Sequence, residues 1–243
     1  MRLWKAWIVA RKDFSIFRKN RFILYSLVVV PVVFALFLPI LIFYSPITSL
    51  PFNLIASTIN GLLTFFILIP AILPSVMASY SIVGEKLEKS LEPLLATPTT
   101  DSEILFGKIL ASFIPTILAT YLGATGFTLF LDIEGYNKFG KILLPTWEFV
   151  IVMAFAAPLA CILSVEINII ISSRVNDVRA AQQLGALPVL PLLLIPFLAE
   201  VGIIIIDTPT LLIISGILAV IDISLYFASR IIFRREDILT KWK

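Results

Sequence analysis

The sequence predicts an all-α polytopic membrane protein with six transmembrane helices and two additional short helices. Hydrophobic residues make up 59% of the chain, charged residues only 14%, and the mean hydropathy is +1.03. A soluble domain of 243 residues needs a polar shell that this composition does not supply, so an ordinary soluble fold is excluded. The first long apolar run begins only at Phe22 and lasts to Tyr44, longer than the roughly 7–15 residues of a signal-peptide core.

Six apolar runs are long enough to cross a bilayer, which takes about 20 helical residues. Prolines are expected to kink the second run at Pro70 and Pro74, and the fourth and sixth runs are interrupted only by Glu166 and Asp222. The single cysteine, Cys161, lies inside the fourth run and is expected to be a small core residue. The predicted spans are residues 22–44, 54–84, 109–131, 149–172, 180–199 and 211–229.

The distribution of lysine and arginine predicts the orientation of the chain. On the six-span arrangement, 17 of the 19 basic residues face one side, and only Lys138 and Lys141 lie on the other. Loops rich in lysine and arginine stay in the cytoplasm. We therefore expect a multi-pass protein of the cytoplasmic membrane with both termini in the cytoplasm.

The first 21 residues have the pattern of an amphipathic helix that precedes the first span. Apolar residues recur at steps of three and four, and basic residues occupy much of the remainder. Such a helix is expected to lie in the membrane interface with its bases near anionic lipid, although a simple basic anchor for the first span is the alternative. The apolar positions are Leu3, Trp7, Ala10, Phe14 and Phe17. A second short segment, residues 201–206, is too short to span and is expected to be a re-entrant or wedge segment at the outer surface.

A charged segment at residues 85–97 follows 63 residues without a single charge. Glu85 and Lys89 have the spacing of a favourable helical ion pair, Pro93 predicts a kink, and Pro98 ends the pattern. Thr100 and Glu103 form a capping-box pattern for the helix that follows. The segment is therefore predicted to be a short cytoplasmic helix with one apolar stripe, whose burial partner is a protein groove rather than lipid. The stripe consists of Leu87, Leu91, Leu94 and Leu95.

The run GEKLEKSLEPLLATPTTDSEILFGKILA, residues 84–111, resembles the signature loop of ATP-binding-cassette (ABC) transporter permeases of the type-2 exporter class. A second run, SSRVNDVRAAQQLGALPVLP at residues 172–191, is similar to another segment of these permeases. The six spans and the basic N-terminal helix fit the same family, so the resemblance covers nearly the whole chain. The matching positions of the first run are Gly84, Glu85, Lys86, Leu91, Glu92, Leu94, Leu95, Pro98, Ile104, Leu105, Gly107 and Lys108.

The resemblance implies that the charged segment is a coupling helix that docks on a separate ATP-hydrolysing subunit. It further implies a partner ATPase that carries ATP and Mg²⁺, and a second copy of this chain or a related permease around one pathway. The chain itself is not expected to be an enzyme, because its nearest phosphate-loop pattern, Gly135–Lys141, is followed by Ile142 instead of Ser or Thr. The predicted docking residues are Gly84, Glu85, Lys86, Leu87, Glu88, Leu91, Glu92, Leu94 and Leu95.

Two acids inside predicted spans, Glu166 and Asp222, are candidates for a substrate path. Each lies eight residues before a basic residue at its span's cytoplasmic end, which is about 12 Å at 1.5 Å per residue. Charges in lipid are costly and usually face the bundle or a wet cavity; the structural alternative is hydrogen bonding to Asn168 or Ser224. An ion-coupled secondary transporter using both acids is the second function considered. The sequence lacks histidine, and no metal, cofactor or nucleic-acid site is expected in this chain.

Overall fold

The computed structural model describes residues 2–44, 52–90, 97, 99–187 and 189–232. Within that part of the chain every regular element is helical, and six helices are long and apolar enough to cross a membrane. An N-terminal helix, Leu3–Phe17, precedes them. The spans, numbered 1 to 6, are Arg21–Phe43, Thr58–Leu87, Asp101–Phe139, Trp147–Arg174, Val178–Ala199 and Thr208–Arg230.

Span 2 is the centre of the bundle. Its most apolar window is 78% buried, against 22% for span 6 and 29% for span 5. It packs along span 4 and also contacts span 3, while span 1 and the N-terminal helix lie against span 3. Near the outer end of the core, Phe66 of span 2 makes an edge-to-face contact with Phe127 at 4.9 Å between ring centroids. Spans 5 and 6 therefore line the outside of this single chain.

Span 2 changes its helical geometry twice. A 3₁₀ turn at Thr64–Ile67 precedes Pro70 and Pro74, whose missing N–H groups interrupt the regular helical hydrogen bonds where a kink was predicted. A π turn at Tyr80–Gly84 then leads into the short terminal helix Glu85–Leu87. π turns are rare and often occur at functional sites, and this one lies directly before the charged segment.

The helix of span 2 ends at Leu87, before most of the predicted coupling helix at 85–97. Lys89 has a φ of 54°, and the Ser90 N–H donates to the carbonyl of Glu85 at 3.0 Å, which together form a Schellman-type helix end. The predicted Glu85–Lys89 pair is not formed, because Lys89 lies beyond the helix end and Glu85 binds other lysines. The remaining leucines of the stripe, Leu91, Leu94 and Leu95, lie outside the described residues, as do Glu92, Pro93 and Pro98.

Span 3 is longer than predicted, with 39 helical residues. Its start is fixed by the predicted capping box: the Glu103 N–H donates to Thr100 Oγ1, and Glu103 Oε2 accepts from the Thr100 N–H. Its end is fixed by Gly140, which has a left-handed φ of 66°. Helix ends are set by such caps as well as by hydrophobicity, so the apolar run at 109–131 marks only the middle of this helix.

Span 5 and the segment that follows it are less regular than the sequence pattern indicates. Span 5 is built from Val178–Gly185 and Val189–Glu200, with Pro188 between them outside the described residues. The segment 201–206, predicted to be re-entrant, has no helix and turns at Gly202, whose φ is 77°. Ile203 and Ile205 of this segment are exposed in the single chain.

The N-terminal helix buries two of the five predicted apolar positions, Ala10 and Phe17. Ala6, Ala10 and Asp13 are fully buried against span 3, while Leu3 and Trp7 are exposed. The close approach depends on Gly107 of span 3, because a Cβ there would lie 2.6 Å from the carbonyl oxygen of Ala6. This helix is therefore held to the bundle by protein contacts, including a buried carboxylate that the apolar pattern did not indicate.

Candidate functional site

Glu85 lies at the point where the N-terminal helix, span 2 and span 3 meet. Its side chain is only 2% exposed and binds two lysines from different elements. Lys12 of the N-terminal helix donates to Glu85 Oε1 at 2.7 Å, and Lys108 of span 3 donates to Glu85 Oε2 at 2.8 Å. One carboxylate thus joins three helices.

Lys108 is the centre of this buried polar cluster. Its ammonium also donates to the carbonyl oxygen and the hydroxyl of Ser81, both at 2.9 Å, and lies 3.4 Å from Asp13 Oδ2. Two carboxylates and one ammonium are buried here, and Lys12, whose side chain is 37% exposed, supplies a second positive charge at the rim. The four charges sum to zero, which limits the cost of burying them.

Asp13 is the least well paired member of the cluster. Its Oδ2 accepts from the Ser81 hydroxyl, while its Oδ1 is buried without a hydrogen-bond partner among the described residues. Burial raises the pKa of the Asp13 carboxyl above its ordinary value of 3.8; Lys108 opposes this shift, whereas the negative charge of Glu85 adds to it. Asp13 is therefore held in place by its buried position more than by a strong hydrogen bond or ion pair to one partner.

Lys86, the next residue along, contacts a different part of the bundle. Its ammonium donates to the carbonyl oxygens of Ser172 and Ser173, both at 2.9 Å, and of Val175 at 3.0 Å. These carbonyls belong to the last turn of span 4 and the residue after its end, where a helix leaves carbonyls without internal partners. The lysine thus caps the C-terminus of span 4 and complements the negative end of its dipole.

The predicted docking residues fall into three groups in the structure. Gly84, Glu85 and Lys86 are buried within the chain, so the side chains of Glu85 and Lys86 face other helices of the same molecule. Leu87 is 64% exposed, and Glu88 and Lys89 beside it are also exposed. We call these three residues the docking segment. The other predicted members, Leu91, Glu92, Leu94 and Leu95, lie outside the described residues.

Sequence reasoning did not single out Asp13 and gave Lys108 no role of its own. The sequence nevertheless contains a feature that distinguishes each of these two residues. Asp13 is the only acid among seven bases in the first 21 residues, and Lys108 is the last residue of the motif in which Glu85 also occurs. Neither position could be paired with Glu85 without knowing that the N-terminal helix folds back onto span 3.

Glu166 and Asp222 lie in neighbouring spans and are both buried. Both oxygens of Asp222 and Oε2 of Glu166 are buried without a hydrogen-bond partner, and neither acid takes part in an ion pair among the described residues.

Hydrogen bonding to Asn168 or Ser224 was the structural alternative for these two acids. In the structure, both residues bond to other groups. Asn168 donates to the carbonyls of Ser164 and Gly185 and accepts from Ser79, while the Ser224 hydroxyl donates to the carbonyl of Val220. Within the part of the chain that the structure describes, neither Asn168 nor Ser224 is therefore the hydrogen-bond partner of these acids. No group of three or more potential metal-ligating side chains is found in the described part of the chain.

A cavity of about 560 Å³ lies at the other end of the bundle, between the start of span 2, the start of span 4 and the segment before span 6. Glu148 and Asp207 contribute acidic side chains to its wall, and Thr58 and Asn60 contribute polar ones. Two hydrogen bonds involving Thr210 lower the pKa of the Asp207 carboxyl below its ordinary value. The wall of this cavity is thus partly polar and partly apolar, because Ile204, Ile205 and Ile206 also line it.

Six spanning helices, with the kinked span 2 at their centre, define an integral membrane protein. The family model for the ABC-2 family transporter proteins matches residues 7–229. The chain belongs to this family, and the resemblance stated from the sequence is confirmed. It is therefore the membrane component of an ABC transporter and not itself an enzyme. No curated protein matches the chain.

Proposed function

We propose that this chain is the permease subunit of an ABC exporter, which moves a substrate across the cytoplasmic membrane using ATP hydrolysed by a separate subunit. The observation that carries the proposal is an exposed leucine, Leu87, at the end of a span whose last turn is anchored by two buried charges. An exposed apolar residue on a firmly held helix end is suited to transmit force from a partner.

The positive-inside distribution supports the orientation that this function requires. Lys86, Lys89, Arg174 and Arg179 all lie at the same end of the bundle as the docking segment. We accordingly place this end and both chain termini in the cytoplasm, where ATP and Mg²⁺ are available to the partner subunit. Membrane lipid covers the outer faces of the spans.

The partner is proposed to be an ABC ATPase that binds the docking segment together with Leu91, Glu92, Leu94 and Leu95. The apolar stripe gives such a surface affinity, and the alternating acids and bases around it give it specificity. Span 6 is largely exposed in the single chain. Its exposed face leaves room for a second copy of this chain, or a related permease, across a shared pathway.

Glu166 and Asp222 are proposed to lie on the substrate path and to favour cationic or polar cargo. Their support is burial in neighbouring spans together with oxygens that have no hydrogen-bond partner among the residues that the structure describes. Buried charges in a membrane are expensive and commonly mark ion or substrate pathways. The same pair would serve an ion-coupled secondary transporter, so the partner ATPase is the feature that separates the two functions.

Co-purification tests the proposed partner. The full chain is co-expressed with a candidate ABC ATPase subunit, and Leu87, Leu91 and Leu94 are replaced with Asp. We expect the triple variant to lose the ATPase, because three carboxylates in an apolar groove remain unpaired. Ile142→Asp is the matched control, since Ile142 is 72% exposed in the loop at the other end of the bundle. An ATPase that stays bound to the triple variant as firmly as to the control contradicts the docking role. Transport by the isolated chain without ATPase would favour the secondary transporter.

A further inference from the structure

Two consecutive side chains at the end of span 2 reach in different directions and hold different helices. Successive residues of a helix point about 100° apart, because a turn takes 3.6 residues. Glu85 reaches the N-terminal helix and span 3 through Lys12 and Lys108. Lys86 reaches the end of span 4 through the carbonyl of Ser172 and two others nearby. The pair Glu85 and Lys86, which directly precedes the docking segment, is thus a junction between two parts of the bundle.

The hydrogen-bonding groups of both side chains are occupied by these contacts. The Lys86 ammonium has three hydrogens, and three carbonyl oxygens at 2.9–3.0 Å accept them. Glu85 receives one lysine on each carboxylate oxygen. Both residues are almost fully buried, at 2% and 3% exposure, whereas Leu87 immediately after them is 64% exposed. The side chains thus change from buried and hydrogen-bonded at Glu85 and Lys86 to exposed at Leu87.

The backbone around the junction separates the docking segment from the regular helix. The π turn at Tyr80–Gly84 precedes Glu85, and the left-handed Lys89 follows Leu87. Between these two irregularities lies one helical turn, Glu85–Leu87. This turn and the two side chains that it carries are therefore one route by which a displacement of the docking segment reaches the bundle.

We propose that Glu85 and Lys86 are positioning residues that divide movement of the docking segment between two arms. The first arm is the N-terminal helix with span 3, which Glu85 holds, and the second arm is the cytoplasmic end of span 4, which Lys86 holds. This inference rests on the proposed function, since it assigns how force from an ATPase subunit enters the permease. It predicts that either arm can be released without the other.

The test uses distances between spin labels in the full chain bound to its ATPase subunit in lipid nanodiscs. Cys161 is the only cysteine of the chain and is fully buried, so labels attach to introduced cysteines at exposed positions. One pair, Glu88→Cys with Ser15→Cys, reports on the first arm, and a second pair, Glu88→Cys with Arg174→Cys, reports on the second. Distances are measured without nucleotide and after trapping with ATP and vanadate.

We expect both pairs to keep narrow distance distributions in the two states of the parent protein, because each arm moves with the docking segment. Lys86→Met is expected to broaden and shift the second pair upon trapping while the first pair stays narrow. Glu85→Gln is expected to broaden and shift the first pair upon trapping while the second pair stays narrow. Lys12→Met, at the partly exposed rim, is a milder variant with the same expected direction as Glu85→Gln, should that protein fail to fold. The matched control is Lys19→Met, an exposed lysine outside the charge cluster and the docking segment that is expected to change neither pair.

Three results would overturn the inference. If each variant broadens both pairs equally, the two side chains only stabilise the bundle in general. If neither variant changes its pair, the contacts carry no movement. If the parent chain does not bind the ATPase subunit at all, the proposed function fails first and the division of movement fails with it, and binding of the parent protein distinguishes this case from the other two.

Discussion

Replacing Lys108 with Met should destabilise the bundle more than any other single change in the charge cluster. The side chain is 1% exposed, and its ammonium holds Glu85 Oε2 at 2.8 Å and Asp13 Oδ2 at 3.4 Å. Methionine has a similar length and fills the same volume, so the variant removes the charge without leaving a large cavity. What remains is a pair of buried carboxylates, of which only Glu85 keeps a lysine partner.

The magnitude follows from the distances. With an effective dielectric constant of about 20, the gross attraction is about 6 kcal/mol at 2.8 Å and about 5 kcal/mol at 3.4 Å. Much of this is offset in the native protein by the cost of removing the ammonium from water. Experience with buried pairs that lose one partner gives a net loss of about 3–5 kcal/mol. We expect a decrease of this size in the free energy of unfolding, measured by SDS titration of the full chain in mixed micelles.

A compensating variant separates the charge effect from a packing effect. Adding Asp13→Asn and Glu85→Gln to Lys108→Met removes the uncompensated negative charges and should recover most of the lost free energy. Lys19→Met is the control, because Lys19 is exposed near the end of the N-terminal helix and should change stability by less than about 0.5 kcal/mol. If the triple variant is as unstable as Lys108→Met alone, uncompensated charge is not the cause and the reasoning is refuted.

Two further predictions concern single positions. Because burial raises the pKa of Asp13, the native state holds its proton more tightly than the unfolded state. This group's contribution to stability is therefore present below pH 3.8 and is lost as the pH rises through the higher native pKa. Asp13→Asn should gain stability relative to the parent over that range, and parallel profiles of unfolding free energy against pH for the two proteins would contradict this. Gly185→Ala should destabilise the protein by about 1–3 kcal/mol, because the added Cβ would lie 1.7 Å from Asn168 Oδ1. Gly216→Ala, where nothing lies within 4 Å, is the matched control, and equal unfolding midpoints for the two alanine variants would show that the close approach at Gly185 is not needed.

The number of spans could be predicted from the sequence because hydrophobic length alone determines it. All six predicted runs coincide with the six candidate membrane helices. The ends were less predictable: span 3 begins at Asp101 because of a capping box that the sequence did reveal, but its apolar run alone placed the start eight residues later. The helix end at Leu87 could not be predicted, because the left-handed residue there is Lys89 instead of the usual glycine.

The candidate site was predictable in position but not in the direction of its side chains. The motif marks Glu85 and Lys86 as candidate docking residues, yet an exposed and a buried position of their side chains would leave the same residues in the sequence. What decides between them is the fold of the N-terminal helix onto span 3 through Gly107, which brings Lys12 to Glu85. Such contacts join residues 73 and 86 positions apart in the chain, and no local periodicity encodes them.

The acids Glu166 and Asp222 allow a test that separates a structural role from a functional one by the sign of a stability change. Buried carboxylates that hold helices together through hydrogen bonds should make the protein less stable when they are neutralised. Carboxylates kept for a substrate path, with three buried oxygens unpartnered, impose a cost that neutralisation removes. We therefore expect Asp222→Asn combined with Glu166→Gln to raise the free energy of unfolding by about 1–3 kcal/mol.

The measurement is SDS titration of the full chain, with transport assayed in proteoliposomes that contain the ATPase subunit. Ser224→Ala is the control, since Ser224 lies in the same span and its hydroxyl bonds only the carbonyl of Val220 in the described structure. Raised stability together with lost transport of a cation is the outcome that a substrate path requires, because the two effects then come from the same unpaired charges. Lowered stability would mean that the carboxylates bind a partner that stabilises the fold, and the substrate-path proposal would have to be abandoned.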